Sequence, residues 1–188
     1  MVGRSRKVGI YLITFLTMLL ISRSDAQQAG NQAEFFIEAH KVAGIAIGDA
    51  AESVYHRYRG NARLVNLDRE GQLSPALAIM PEGTSREDAI IAELSCEKKL
   101  IVSRIIISDS VFRTRSGIGV GSTIGQLRSR HKITSVSTEE WSCGIWVEEL
   151  AMSFTLDISK LHREADSWKH PSDIPDNVKI QNVILMMR

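Results

Sequence analysis

This sequence has no strong excess of charge of either sign and no apolar run long enough to cross a membrane. The formal net charge is +1, and no long run of one sign occurs, which excludes a general electrostatic attraction to nucleic acid or to anionic lipid. The uncharged apolar run over residues 8–21 has 14 residues, whereas a membrane-spanning helix needs roughly 18–20. We therefore expect no nucleic-acid partner and no stable membrane insertion once the leader described below is removed.

The chain also lacks the short motifs of several enzyme classes. It has no Gly-x-Ser-x-Gly elbow of a serine hydrolase, and its five histidines form no His-x-x-x-His pair for a metal. The glycine-rich stretch 117–123 lacks the lysine that a phosphate-binding loop requires after its last glycine. These absences predict a non-enzymatic protein with no metal and no cofactor.

What the chain does contain at its start is the pattern of an export signal. A positively charged segment, residues 4–7, precedes the apolar run, and Ser24 and Ala26 supply small residues at the positions that a signal peptidase reads. We expect residues 1–26 to be a signal peptide that is cleaved between Ala26 and Gln27. The mature protein is then expected in the periplasm or outside the cell.

The two cysteines, Cys96 and Cys143, allow three interpretations. In an oxidising compartment two thiols suggest one disulfide, provided that their α-carbons lie close together. The second interpretation is two separate thiols. The third is a small periplasmic thiol-dependent hydrolase in which Cys143 is the nucleophile and a histidine such as His131 is the base.

Two glycine-containing segments, 73 residues apart, share a pattern. The pattern is two glycines followed by a polar residue: Gly44, Gly48 and Asp49 in the first segment, and Gly117, Gly121 and Ser122 in the second. The polar residue is predicted to cap a helix by accepting a hydrogen bond from a free backbone N–H. The helices would cover residues 50–58 and 123–130.

Each glycine segment is predicted to open a repeat made of one helix and an antiparallel meander. Residues 27–41 form a loose leader, repeat unit 1 covers 42–115 and repeat unit 2 covers 116–188. The predicted strands are 63–67, 76–80 and 100–107 in unit 1, with 89–94 as an optional extra strand, and 133–136, 145–155 and 178–186 in unit 2. The predicted fold class is α+β, with two tandem helix-plus-antiparallel-meander repeats.

This plan resembles the fold of the beta-lactamase inhibitor proteins and of the small outer-membrane assembly lipoproteins. In both families a Gly-x-x-x-Gly turn opens a helix on an antiparallel sheet, and Gly44–Gly48 and Gly117–Gly121 match that turn. The resemblance implies a periplasmic module with a binding or scaffolding role. It does not imply a lipid anchor, because this chain lacks the cysteine that the lipoproteins carry at their cleavage site.

Three tryptophans fall in the second half of the chain. Trp141 and Trp146 flank Cys143, and an exposed tryptophan is a common anchor of protein interfaces, whereas a buried one packs in the core. We therefore predict an exported, non-enzymatic protein-binding or scaffolding module of the bacterial cell envelope. Its partner would be another envelope protein, bound through Trp141 and Trp146.

Overall fold

The structure is a computed structural model that describes residues 35–69, 71–96, 99–139 and 142–187. The predicted signal peptide and Trp141 lie outside the described residues. The described residues from Phe36 onwards belong to one compact unit.

A small sheet and a large sheet hold the strands of this unit. The small sheet has the order β3-β2-β1-β8, in which β1 and β8 run parallel and the other neighbours run antiparallel. Its strands are β1 (Phe36–Glu38), β2 (Lys41–Val42), β3 (Ile45–Ala46) and β8 (Arg113–Thr114).

The large sheet is antiparallel and has eight strands. They are β4 (Ala62–Arg69), β5 (Gln72–Ile79), β6 (Ile90–Cys96), β7 (Leu100–Ile107), β9 (Ser135–Glu139), β10 (Ser142–Val147), β11 (Met152–Leu156) and β12 (Ile180–Met186). Their order is β4-β5-β6-β7-β12-β11-β10-β9, so two four-stranded meanders join where β7 pairs with β12.

The helices of the described residues are short. They are α1 (Ala51–Arg57), α2 (Ile124–Arg128) and α3 (His162–Ala165), with 3-10 turns at Glu148–Leu150 and Pro171–Asp173. In the described part of the chain, no helix is long and apolar enough to cross a membrane.

The predicted fold class is wrong. Strand makes up 44% of the structure and helix only 15%, so the protein is mainly β and is not built of two α+β helix-plus-meander repeats. The predicted helices shrink to seven and five residues, because a short helix has little stability of its own beyond what its buried side chains supply. Strands from both halves of the chain instead share one continuous sheet.

Most individual strands were nevertheless predicted at the right places. The predicted strand 100–107 coincides with β7, and the predicted strand 178–186 contains β12. The predicted strand 145–155 is interrupted by a 3-10 turn, after which Ala151 has a positive φ of 51°. That reversal makes it two neighbouring strands, β10 and β11.

The core lies on one face of the large sheet. Across seven strands, the residues that pair with one another on this face form a continuous row, which we call the inner row. It runs through Ile79, Ile90, Ile107, Val183, Phe154, Ile145 and Val136. The first six of these residues are at most 1% exposed, so the inner row is covered from β5 to β10.

Candidate functional site

The opposite face of the large sheet carries a second row of paired residues, one position along each strand. We call it the outer row. It runs through Ala78, Ile91, Ile106, Ile184, Ser153, Trp146 and Ser135. Directly paired residues in an antiparallel sheet point to the same side, so these side chains share one surface. We call that surface the exposed face.

The exposed face is apolar at its centre although it is not buried. Ile91, Ile106, Ile184 and Trp146 are all partly exposed, whereas Ala78 and the neighbours on the inner row are covered. An antiparallel sheet with one solvated face normally alternates apolar and polar residues. Strands β6, β7 and β12 depart from that pattern here, so three isoleucines lie side by side at the surface.

One ion pair lies beside these isoleucines. Glu93 on β6 and Arg104 on β7 are cross-strand partners, and Arg104 Nη1 donates to Glu93 Oε2 at 3.5 Å. Arg104 is in turn paired with Met186 on β12. The outer row continues onto β4 at Arg63, which pairs with Ala78 and lies 3.9 Å from Glu87. The exposed face therefore combines an apolar centre with these charged groups.

Trp146 lies at the β10 end of the exposed face. Its indole Nε1 donates to Glu148 Oε2 at 2.7 Å, which satisfies the polar group of the ring. Trp168 is 4% exposed and belongs to the core. The structure thus places one of the two predicted partner-binding tryptophans on a surface, and Trp141 lies outside the described residues.

Cys143 has a different environment. It lies on β10, is fully buried, and is a free cysteine. Three strands separate β10 from β6, which ends at Cys96, so the two backbones are roughly 19 Å apart at the usual strand spacing. A disulfide needs α-carbons within about 7 Å, so the interpretation with a Cys96–Cys143 bridge is not supported.

The predicted nucleophile role of Cys143 has no support in this geometry. Burial raises the pKa of the Cys143 thiol to about 11, whereas a catalytic cysteine needs a lowered pKa. His131, the proposed base, has both ring nitrogens engaged by Ser116 and Glu149. We do not retain the thiol-dependent hydrolase as a candidate.

A thiol titration checks this environment. In a Cys96→Ser variant, which leaves Cys143 as the only thiol, we expect native protein to react with a disulfide reagent at least about a hundredfold more slowly than a free thiol of ordinary pKa. Reaction should become rapid after unfolding in urea. Fast labelling of the native protein would contradict the buried position of Cys143.

The two glycine segments form the predicted turns before α1 and α2, but the capping residues differ from the prediction. The four glycines, Gly44, Gly48, Gly117 and Gly121, all have positive φ values between 72° and 92°. Asp49 Oδ2 accepts from Ala46 N at 3.0 Å, and Ser122 Oγ accepts from Gly119 N at 3.1 Å.

Asp49 and Ser122 therefore close the turns and do not cap the helices. The N-cap of α1 is Ala50, which makes no side-chain capping bond. The N-cap of α2 is Thr123, which forms a capping box with Gln126. Each predicted cap was misplaced by one residue, because a serine or aspartate can bond backwards as readily as forwards.

Comparisons with known proteins give a fold and no function. No protein-family model matches the chain, and no curated protein is significantly similar to it in sequence. The structure is similar to the crystal structure of the uncharacterized protein YfeY from Escherichia coli, with a TM-score of 0.52 and 14% identity. The match covers 80% of this chain and 99% of that one, so YfeY shares the fold.

Among the described residues, no group of three or more histidine, cysteine, aspartate or glutamate side chains is arranged to hold a metal ion.

Sequence reasoning missed the three isoleucines of the exposed face. The signal was present, because residues 105–107 and 183–185 are apolar without alternation. Such runs indicate a strand with apolar side chains on both faces.

Proposed function

We propose that this protein is a binding module of the bacterial cell envelope that captures another exported protein on the exposed face of its large sheet. The observation that carries the proposal is the outer row, in which Ile91, Ile106 and Ile184 are paired neighbours at the surface. The envelope location depends on the export signal that the sequence predicts. The partner is expected to present an apolar segment to this face.

The energetics favour a binding role for these residues. Burying one isoleucine or a comparable apolar side chain contributes about 1.5–3 kcal/mol relative to full exposure. The isoleucines are only partly exposed, so each has at most about a third of that to gain. The indole N–H of Trp146 already donates a hydrogen bond to Glu148. We therefore expect the three isoleucines and Trp146 to contribute most of the binding free energy of this face.

The charged pair favours a partner with polar groups beside its apolar segment. Glu93 is 8% exposed, and its carboxylate is bonded to Arg104. A purely apolar partner would cover this ion pair without replacing the water around it, which costs free energy. A partner that offers hydrogen-bonding groups near Arg104 avoids that cost, and this requirement gives the face its specificity.

Site-specific photo-crosslinking in cells tests the proposal. A photoreactive phenylalanine analogue is placed at position 146, which keeps an aromatic side chain on the exposed face. The control carries the same analogue at Leu73, which is 68% exposed near the β4–β5 turn. We expect one exported protein to be crosslinked from position 146 and not from position 73.

Affinity measurements with that crosslinked partner then test the hot spot. The variants Ile106→Ser and Ile184→Ser are each expected to weaken binding about fivefold, because each removes about 1 kcal/mol of contact. The matched control is Leu64→Ser, whose side chain is 66% exposed on edge strand β4. Equal affinities for wild type and both isoleucine variants would assign binding to another surface.

A further inference from the structure

Three segments that are distant in sequence bring Ser116, His131 and Glu149 into one hydrogen-bonded line. Ser116 lies in the turn after β8, His131 follows α2, and Glu149 lies in the 3-10 turn between β10 and β11. Ser116 Oγ is 2.6 Å from His131 Nε2, and His131 Nδ1 is bonded to Glu149 Oε1. None of the three belongs to the outer row.

The network fixes the direction of each hydrogen bond when His131 is neutral. The ionised carboxylate of Glu149 only accepts, so His131 Nδ1 carries the proton and Nε2 accepts from Ser116. Ser116 has a single hydroxyl proton, so the 2.9 Å bond from Thr114 Oγ1 is donated by Thr114. Thr114 Oγ1 itself accepts from Ile118 N at 3.0 Å.

We propose that Ser116, His131 and Glu149 form a serine-hydrolase site that cleaves carboxylic esters with an apolar acyl group. A nucleophile bonded to a base that a carboxylate orients is the arrangement required for covalent acyl transfer. Ser116 is partly exposed, and the His131 side chain is 12% exposed. The inference does not depend on the binding function of the exposed face.

The reaction balances without a cofactor. Ser116 Oγ bonds to the ester carbonyl carbon while its proton passes to His131 Nε2. The bond from that carbon to the ester oxygen then breaks, and the departing alcohol takes the proton. A water attacks the acyl-serine and gives a proton to His131, which returns it to Ser116 as the carboxylic acid leaves.

The oxyanion would be stabilised by a side chain and not by the adjacent backbone. Gly117 N donates to Thr114 O at 2.8 Å, and Ile118 N donates to Thr114 Oγ1, so both N–H groups after Ser116 are already used. The guanidinium of Arg130 lies beside this turn: a Cβ placed on Gly117 would be 3.2 Å from Arg130 Nη1. Arg130 is therefore the side chain assigned to stabilise the developing negative charge.

A pocket of about 380 Å³ adjoins the cluster and defines the substrate class. This volume suits a small ligand. Ser116, His131 and Glu149 are on its wall, and its apolar lining is Ile37, Ala39, Leu150 and Met152. Glu38 and Arg115 also line the pocket, but they pair with each other at 3.7 Å. The apolar part of the lining favours an acyl chain.

Active-site labelling of the purified protein tests the inference directly. The probes are a fluorophosphonate and the p-nitrophenyl esters of acetate and butyrate. We expect one fluorophosphonate adduct on Ser116, located by peptide mapping, and saturable hydrolysis with butyrate preferred to acetate. Heat-denatured protein should not be labelled.

Variants distinguish a catalytic role of these three residues from a role that only stabilises the fold. Ser116→Ala should abolish the label and reduce hydrolysis to the rate of buffer, whereas Ser129→Ala, an exposed serine near the end of α2, should leave both unchanged. Glu149 is a positioning residue. Glu149→Gln donates to Nδ1 and imposes the wrong tautomer, so kcat should fall by about 10³-fold or more while KM is unchanged.

Folded wild-type protein, verified by circular dichroism, that neither takes the label on Ser116 nor hydrolyses either ester overturns the proposal. The cluster would then only tie three segments together. Because the labelling uses wild-type protein, a Ser116→Ala variant that fails to fold would not weaken this test.

Discussion

Gly119→Ala should destabilise the protein by about 3 kcal/mol, an overpacking effect at the upper end of its usual range. An added Cβ at this position would lie 2.3 Å from the carbonyl oxygen of Phe112 and 3.0 Å from two atoms of the Arg113 side chain. Phe112 is fully buried and its oxygen is backbone, so the clash can be relieved only by moving the turn that carries Ser122. Urea denaturation at about pH 7 measures the loss.

Gly121→Ala is the matched control in the same turn. Gly121 has a φ of 82°, but no atom lies within 4 Å of the position that its Cβ would occupy. The alanine therefore adds only the cost of a left-handed backbone, about 1–2 kcal/mol. If the two variants are equally destabilised, steric contact at Gly119 is not the reason why this position requires glycine.

These glycines illustrate how much of the fold the sequence predicts. The Gly-containing segments and the Ile- and Val-rich strands are local patterns, and they were located to within a few residues. The fold class was wrong because local patterns carry no information on how strands from the two halves pair. The contact of β7 with β12, with Ile106 opposite Ile184, joins residues 78 positions apart and makes one sheet.

The candidate sites depend on the same long-range pairing. Ser116 and His131 are 15 residues apart, and His131 and Glu149 are 18 apart, so no short motif marks them. The absence of a Gly-x-Ser-x-Gly elbow predicted a protein without enzymatic activity. The labelling of Ser116 also tests that prediction, because a serine triad is defined by geometry and not by its order in the chain.

Asp109→Asn is the second substitution for which we expect a large loss, about 2–3 kcal/mol at neutral pH. Asp109 is 3% exposed and links the segment after β7 to the loop before β6. Its Oδ2 accepts from Ser85 N at 2.8 Å and from Ser85 Oγ at 3.0 Å, and its Oδ1 accepts from Val111 N at 3.0 Å. The side-chain amide of an asparagine would point its N–H groups at the donors of Ser85 or at the backbone N–H of Val111. The hydrogen bonds on that side of the side chain would then be lost.

The stability lost in Asp109→Asn should depend on pH. Burial raises the pKa of Asp109, but hydrogen bonds from Val111 and Ser85, together with the positive charge of Arg86, outweigh it and lower the pKa overall. A carboxyl with a lowered pKa in the folded state stabilises the fold fully above its unfolded pKa of about 4 and progressively less as the pH falls through its folded value. The gap between wild type and variant should therefore shrink in acid.

Asp157→Asn provides the comparison for an exposed carboxylate. Asp157 accepts hydrogen bonds from the hydroxyl and the backbone N–H of Ser159, and the hydroxyl bond is the main reason why its pKa is lowered. Solvent screens this exposed group, so the substitution should cost less than about 0.5 kcal/mol. Urea denaturation from about pH 7 to about pH 3 compares the three proteins. A pH-independent gap for Asp109→Asn would show that its effect arises from packing and not from the buried carboxylate.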